Sequence, residues 1–263
     1  MPLTPIPPTE MPPAPRKQPW LVQLGDLLLM ELTNWRWSWR MLVITSTITP
    51  LLSMVALGLF ARNAGQEALG YILTGNVVLA LMFGMMEKVQ SRFSFMRVMG
   101  TLDYFATLPI TRFTLILAMV LSFLLLSLPS LIVTIGVGAL VLALPLQISP
   151  LLIAAVPLCA VPLSGIGALI AANARTPEES NALTLLATFV LLGLGPVIFP
   201  ASRLPGFVLV LGHFSPATYA ASALRQTLLG PVTGELALDL AVLAGVSVLI
   251  FWLVGRKMQW RQR

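Results

Sequence analysis

The chain has 263 residues, 57% of them apolar and only 10% charged. Soluble domains carry about a quarter charged residues, so most of this chain is read as shielded from water. Its apolar runs are continuous rather than alternating, which excludes a membrane β-barrel and predicts an all-α membrane protein. The formal charge of +6 is explained by basic residues retained on one side of a membrane, so no nucleic-acid partner is expected. The single cysteine, Cys159, leaves no disulfide framework within one chain.

Residues 1–19 hold eight prolines and end in a basic Arg16-Lys17 pair, the composition of a disordered cytoplasmic tail. Residues 20–40 predict an amphipathic interfacial helix: Gln23, Asp26, Glu31, Asn34 and Ser38 share one arc, while Leu21, Leu24, Leu28 and Leu32 lie largely outside it. Trp35, Trp37 and Trp39 alternate with Arg36 and Arg40 where that helix meets the membrane interface. Six spans follow, at 41–60, 70–86, 114–143, 151–172, 182–200 and 236–255. The third is longer than a bilayer needs and carries Pro129, a candidate kink. Between the fifth and sixth, residues 201–235 hold two apolar pieces, 207–214 and 217–229, each too short to cross. They predict a re-entrant helical pair in the outer leaflet. A basic cytoplasmic tail, 256–263, closes the chain.

With the N-terminus inside, thirteen Lys and Arg face the cytoplasm, and only Arg62, Arg203 and Arg225 face outward. Both termini are therefore expected in the cytoplasm, which requires an even number of spans. No Gly-x-x-x-x-Gly-Lys-Ser/Thr loop occurs, so the chain is not expected to hold a nucleotide phosphate or to be an enzyme. The spans are read as free of fixed charge, which disfavours ion coupling and voltage sensing. Ser164 lies in a span without a nucleophile motif, and His213, the only histidine, falls in the re-entrant segment, so an intramembrane hydrolase is not expected. No catalytic or metal-binding residue is assigned.

The segment Gly100 to Arg112, GTLDYFATLPITR, is the most informative loop. Thr101 is a candidate cap for a short helix with Asp103 in its first turn. Leu102, Phe105 and Leu108 recur on one face, and Pro109 ends the helix. That stripe suits either an interfacial rest or a knob seated in a soluble partner.

The same residues resemble the Gly-Thr-Leu-acid-x-x-x-x-x-Pro-x-x-Arg signature of ABC type-2 transporter permeases. Phe199, Pro200, Leu204, Pro205, Pro216, Tyr219 and Arg225 are similar to that family's segment before its last span. Where the family often carries acids before Gly-Thr, this chain has Arg97-Val98-Met99, and the nearest upstream acid is Glu87. The resemblance implies an exporter permease in the plasma (bacterial inner) membrane. It also implies two copies of a separate ABC ATP-binding subunit, which would hold ATP and Mg, and a second copy of this chain or a paralogous permease. Gly100–Arg112 would then be the coupling helix, with Glu87 and Arg92 available for an ion pair to the partner. Thr45, Ser46, Thr47, Thr49, Ser53, Asn76, Thr184 and Thr188 are candidate pathway residues. Uncharged spans suit a lipophilic or amphipathic cargo such as a drug, a lipid or a lipid-linked glycan. The alternatives are an ion-coupled secondary transporter and a non-transporting scaffold in contact with membrane lipids.

Overall fold

The computed structural model describes residues 19–61, 65–108 and 110–257; residues 1–18, 62–64, Pro109 and the last six residues lie outside them. Among the described residues there are eleven α-helices and no strand. They are α1 (Trp20–Trp35), α2 (Trp39–Phe60), α3 (Gly65–Leu81), α4 (Glu87–Val98), α5 (Thr101–Thr107) and α6 (Arg112–Leu142). The remainder are α7 (Leu152–Asn173), α8 (Pro177–Gly193), α9 (Gly206–Gly212), α10 (Pro216–Leu229) and α11 (Glu235–Lys257).

A five-residue π-helical segment, Met82–Met86, joins α3 to α4 without a break. The result is one continuous helix of 34 residues, Gly65–Val98. At 1.5 Å per residue it is about 50 Å long, against a hydrocarbon core of about 30 Å. One end must therefore stand clear of the bilayer, and it carries α5. The sequence reading over 70–86 caught only the apolar middle of this helix, because Glu87, Lys88, Gln90, Ser91 and Arg92 read as a loop. The amphipathic segment is also divided: α1 ends at Trp35, and α2 starts at Trp39.

Direct contacts fix the direction of each helix. Trp20 Nε1 donates to Thr114 Oγ1 at 3.1 Å, Thr47 Oγ1 to Ser130 Oγ at 2.8 Å, and Gly58 packs on Leu142. Thus α1 and α2 run parallel to α6. At the other end of the chain, Arg112 Nη1 donates to the Gly255 carbonyl at 3.4 Å. The start of α1, α5 and the end of α11 therefore gather at one end of the bundle, the α5 end. This is the arrangement that an even number of passes produces.

Among the described residues five helices are long and apolar enough to cross a membrane, and the bent pair α9–α10 would make a sixth if it counts as one span. The predicted fifth span over 182–200 is instead α8, only 17 residues over Pro177–Gly193. Thr176 caps it, accepting the Glu179 N–H at 3.2 Å. It still traverses the bundle. Ser180 meets Gln90 and Ser94 near the α5 end, and the Leu191 and Leu194 carbonyls meet Ser215 and Thr218 of the α9–α10 pair far from it. Helix α8 stops early because Gly195 takes φ +101 and presses against Gly212, an approach that a side chain would block. Helices α9 and α10 meet at 88°. Helix α10 then climbs to a rim where Gln147 and Ser149 N–H groups bond the Leu228 and Thr227 carbonyls.

Close approaches at glycine hold the bundle together, as small residues do where lipid removes any hydrophobic drive between helices. A Cβ on Gly165 would meet Ile250 of α11, and one on Gly167 would run into the Met86 carbonyl within the π segment. Gly136 has open space around it. Gly167→Ala is expected to cost about 1–3 kcal/mol through overpacking, whereas Gly136→Ala should be neutral or slightly stabilising. Thermal denaturation of the two purified variants in one detergent measures the contrast.

Candidate functional site: the α5 end and its supports

Helix α5 follows α4 after a single sharp turn. Gly100 takes φ +68, ψ +9, a left-handed conformation that glycine adopts without strain. Its carbonyl accepts the Asp103 N–H at 3.0 Å. The capping expectation is corrected: Gly100 occupies the cap position, Thr101 is the first helical residue, and no side chain caps the helix. Leu108 ends the helix in an extended conformation; Pro109, assigned that role from the sequence, lies outside the described residues. Thr111 then caps α6, accepting the Thr114 N–H at 3.2 Å.

The apolar stripe faces inward. Leu102 and Phe105 are buried in the main core, and Leu108 packs against it. They are anchors of α5 rather than its outer surface. What α5 presents outward is Asp103, Tyr104, Ala106 and Thr107, with Tyr104 63% exposed. Phe95, Val98 and Met99 of the preceding turn are also exposed, so an apolar patch with one carboxylate surrounds the helix. Tyr104 was missed in the sequence, although it belongs to the complement of the i, i+3 stripe.

Two side chains brace the stem that carries α5. Arg97 Nη1 donates to the Ala171 carbonyl at 2.9 Å, tying α4 to the end of α7. Arg92 grips Glu31 of α1, with Nη2–Oε1 at 2.9 Å and Nε to the two oxygens at 3.2 and 3.1 Å. With the Asn34 amide turned so that its oxygen faces the guanidinium, that oxygen accepts from both Nη atoms at 3.2 and 3.1 Å. The expected Arg92 ion pair to a partner is therefore corrected: its carboxylate comes from this chain. Glu31, predicted on the polar face of α1, is the fully buried residue of that helix, while Glu87 stays partly exposed.

The candidate pathway residues separate into two groups. Asn76, Thr184 and Thr188 are buried and bond carbonyls of their own helices four residues back, at 2.8, 2.8 and 2.9 Å. Gln90, Ser94 and Ser180 form a buried polar contact between α4 and α8. Ser46 and Thr47 are likewise buried, bonding Leu42 and Val43 carbonyls at 2.7 and 2.6 Å. Thr45 and Thr49 are exposed on α2, and Ser53 is half-buried.

At the other end, Tyr219 donates to the His213 carbonyl at 2.9 Å, closing the turn between α9 and α10. Pro200 and Pro216 are buried, Leu204 is half-buried, and Phe199 and Pro205 are exposed. Arg225 stacks 3.7 Å over the Tyr71 ring. The reading of charge-free spans is corrected here. Asp239 lies in the last span, 5% exposed, and accepts from Gln226 Nε2 at 3.1 Å. Gln226 in turn accepts from Thr233 N and Oγ1 at 3.1 and 2.9 Å.

Removing one member of a buried ion pair strands the other. Arg92→Ala or Glu31→Ala should each cost about 3–5 kcal/mol, while joint replacement by Met and Leu should cost less than either. Melting temperatures of the two single variants and the double variant test this.

A matching pattern is found beyond this molecule. The sequence profile described as ABC-2 type transporter matches residues 23–229, from within α1 to the end of α10. No curated protein matches the chain. The matched region covers well over half of the chain and includes α5, the re-entrant pair and the long α3–α4 helix, so this protein belongs to the ABC-2 type transporter family, whose membrane domain is the permease component of an ABC transporter.

Proposed function

We propose that this permease exports a lipophilic or amphipathic substrate from a plasma membrane of bacterial inner-membrane type, with both termini in the cytoplasm. Family membership brings an ABC ATP-binding partner in general terms. The specific reading is that two such subunits, each holding ATP and Mg, dock on the α5 ends of two permeases, either identical or paralogous. One observation carries it. Helix α5 is anchored by Leu102 and Phe105 and turns Asp103 and Tyr104 outward at the tip of a helix too long for the bilayer. A rigid knob on a rigid stem can pass a push from a soluble motor into a bundle as a rigid-body movement. The exposed α2 face, with Thr45 and Thr49 among Met41, Ile44, Ile48 and Leu52, supports a cargo or partner face with hydroxyls and no fixed charge.

Tagged protein extracted in mild detergent should co-purify with a subunit bearing a Walker A loop. Tyr104→Ala should leave the melting temperature within a few degrees yet reduce substrate-stimulated ATP hydrolysis about tenfold, a loss of about 1.4 kcal/mol in coupling. Leu102→Asp should instead lower the yield of folded protein, because it places a charge in the core. Retention of full stimulation by Tyr104→Ala in a complex that contains the ATPase would remove the outer face of α5 as the coupling element, and failure of any ATPase to co-purify would remove the docking reading itself.

A further inference from the structure

The turn between α1 and α2 is built for a ligand that neither helix supplies. Arg36, Trp37, Ser38, Trp39 and Arg40 are all exposed, Trp37 by 83%. The Arg36 guanidinium lies 5.0 Å from the Trp37 ring and that of Arg40 5.8 Å from the Trp39 ring. Cationic groups on indole faces are held in place while keeping their charge available. No Asp or Glu occurs between Glu31 and Glu67. Glu31, the nearest acid in sequence, is buried and bound to Arg92. Among the described residues, neither Arg36 nor Arg40 forms an ion pair with a carboxylate.

The depth of this turn is also set. Trp35 packs edge-on against Phe123 of α6, with ring centroids 5.7 Å apart. From Phe123 to the end of α6 at Leu142 is about 29 Å at 1.5 Å per residue, close to one hydrocarbon thickness of about 30 Å. The turn therefore lies at the level of the lipid headgroups on the α5 side. Directly beyond it, Met41, Ile44 and Ile48 of α2 are exposed where acyl chains would lie. The Glu31–Arg92 pair and the Trp20–Thr114 hydrogen bond fasten α1 at both ends, so the turn is held in shape before any lipid arrives.

We infer that Arg36 and Arg40, flanked by Trp37 and Trp39, form a binding site for the headgroup of an acidic phospholipid in the leaflet on the α5 side. Net charge decides the occupant. Two uncompensated guanidinium groups favour a headgroup of net negative charge over a zwitterionic one, whose ammonium group they repel. This site goes beyond the transport reading and does not depend on ATPase coupling.

The test uses the full chain with Trp252 and Trp260 changed to Phe and Trp20 kept with its Thr114 hydrogen bond, so that emission comes from Trp20 and from Trp35, Trp37 and Trp39 at the turn. It is reconstituted in phosphatidylcholine vesicles containing either brominated phosphatidylglycerol or brominated phosphatidylcholine at equal mole fraction. Quenching should report a preference of about tenfold for phosphatidylglycerol. Arg36→Gln with Arg40→Gln should bring the ratio to about one without shifting the melting temperature, and Arg36→Lys with Arg40→Lys should keep most of it. A ratio near one in the parent chain overturns the site. So does a preference that survives the double Gln substitution, since basic residues elsewhere would then be its source.

Discussion

Hydrocarbon offers no hydrogen bonds, so every polar group carried into the bilayer must find its partner inside the protein. Much of this structure follows from that constraint. The hydroxyls of Ser46, Thr47, Thr74, Thr184, Thr188, Thr227 and Ser247 bond carbonyls of their own helices. They can therefore be buried between helices without needing one another. Asp239 is held by Gln226, and Glu31 by Arg92. Attraction between helices rests on shape instead, and so glycines stand where backbones come closest. Gly138 lies against Met54, Gly165 against Ile250 and Gly167 against the Met86 carbonyl.

The long helix Gly65–Val98 organises the rest. Its first two-thirds are buried among α2, α6, α7 and α10, and its last third, α4, ends at Val98 just before the Gly100 turn. The π segment Met82–Met86 falls between these parts, where α7 closes on it through Gly167. Wide turns of this kind recur at functional positions in helices. The stem beyond it is braced on two sides, by Arg92 to α1 and by Arg97 to α7. The stem is thus tied to two helices through direct polar contacts. Helix α8 differs in character, burying only Ser180, Thr184 and Thr188. Its Ser180 bonds Gln90 and Ser94 of α4.

Much of the plan was legible in the sequence. Continuous apolar runs marked the spans, because a helix in lipid must be apolar for most of its length. The prolines and glycines of 201–235 marked a pair too short to cross, and the stripe of Leu102, Phe105 and Leu108 identified a short amphipathic helix after Gly100. These features depend on neighbours within a few residues, where local composition and periodicity settle the outcome.

What stayed hidden required knowing which helix lies beside which. A hydropathy pattern could not show that α4 continues α3, since Arg92 is taken up by Glu31 of α1 and Arg97 by the Ala171 carbonyl of α7. Nor could it show that Glu31 turns inward, because its partner stands 61 residues away on another helix. Asp239 was visible as a letter, but its tolerance within a span rests on Gln226 from α10. Sequence alone determined the class of the molecule, its spans in outline and the short helix that follows Gly100, all consequences of transferring side chains between water and lipid. Only the tertiary structure decided which face of α5 is free and which charges are already paired, because a side chain's exposure and its partner are properties of the packed bundle.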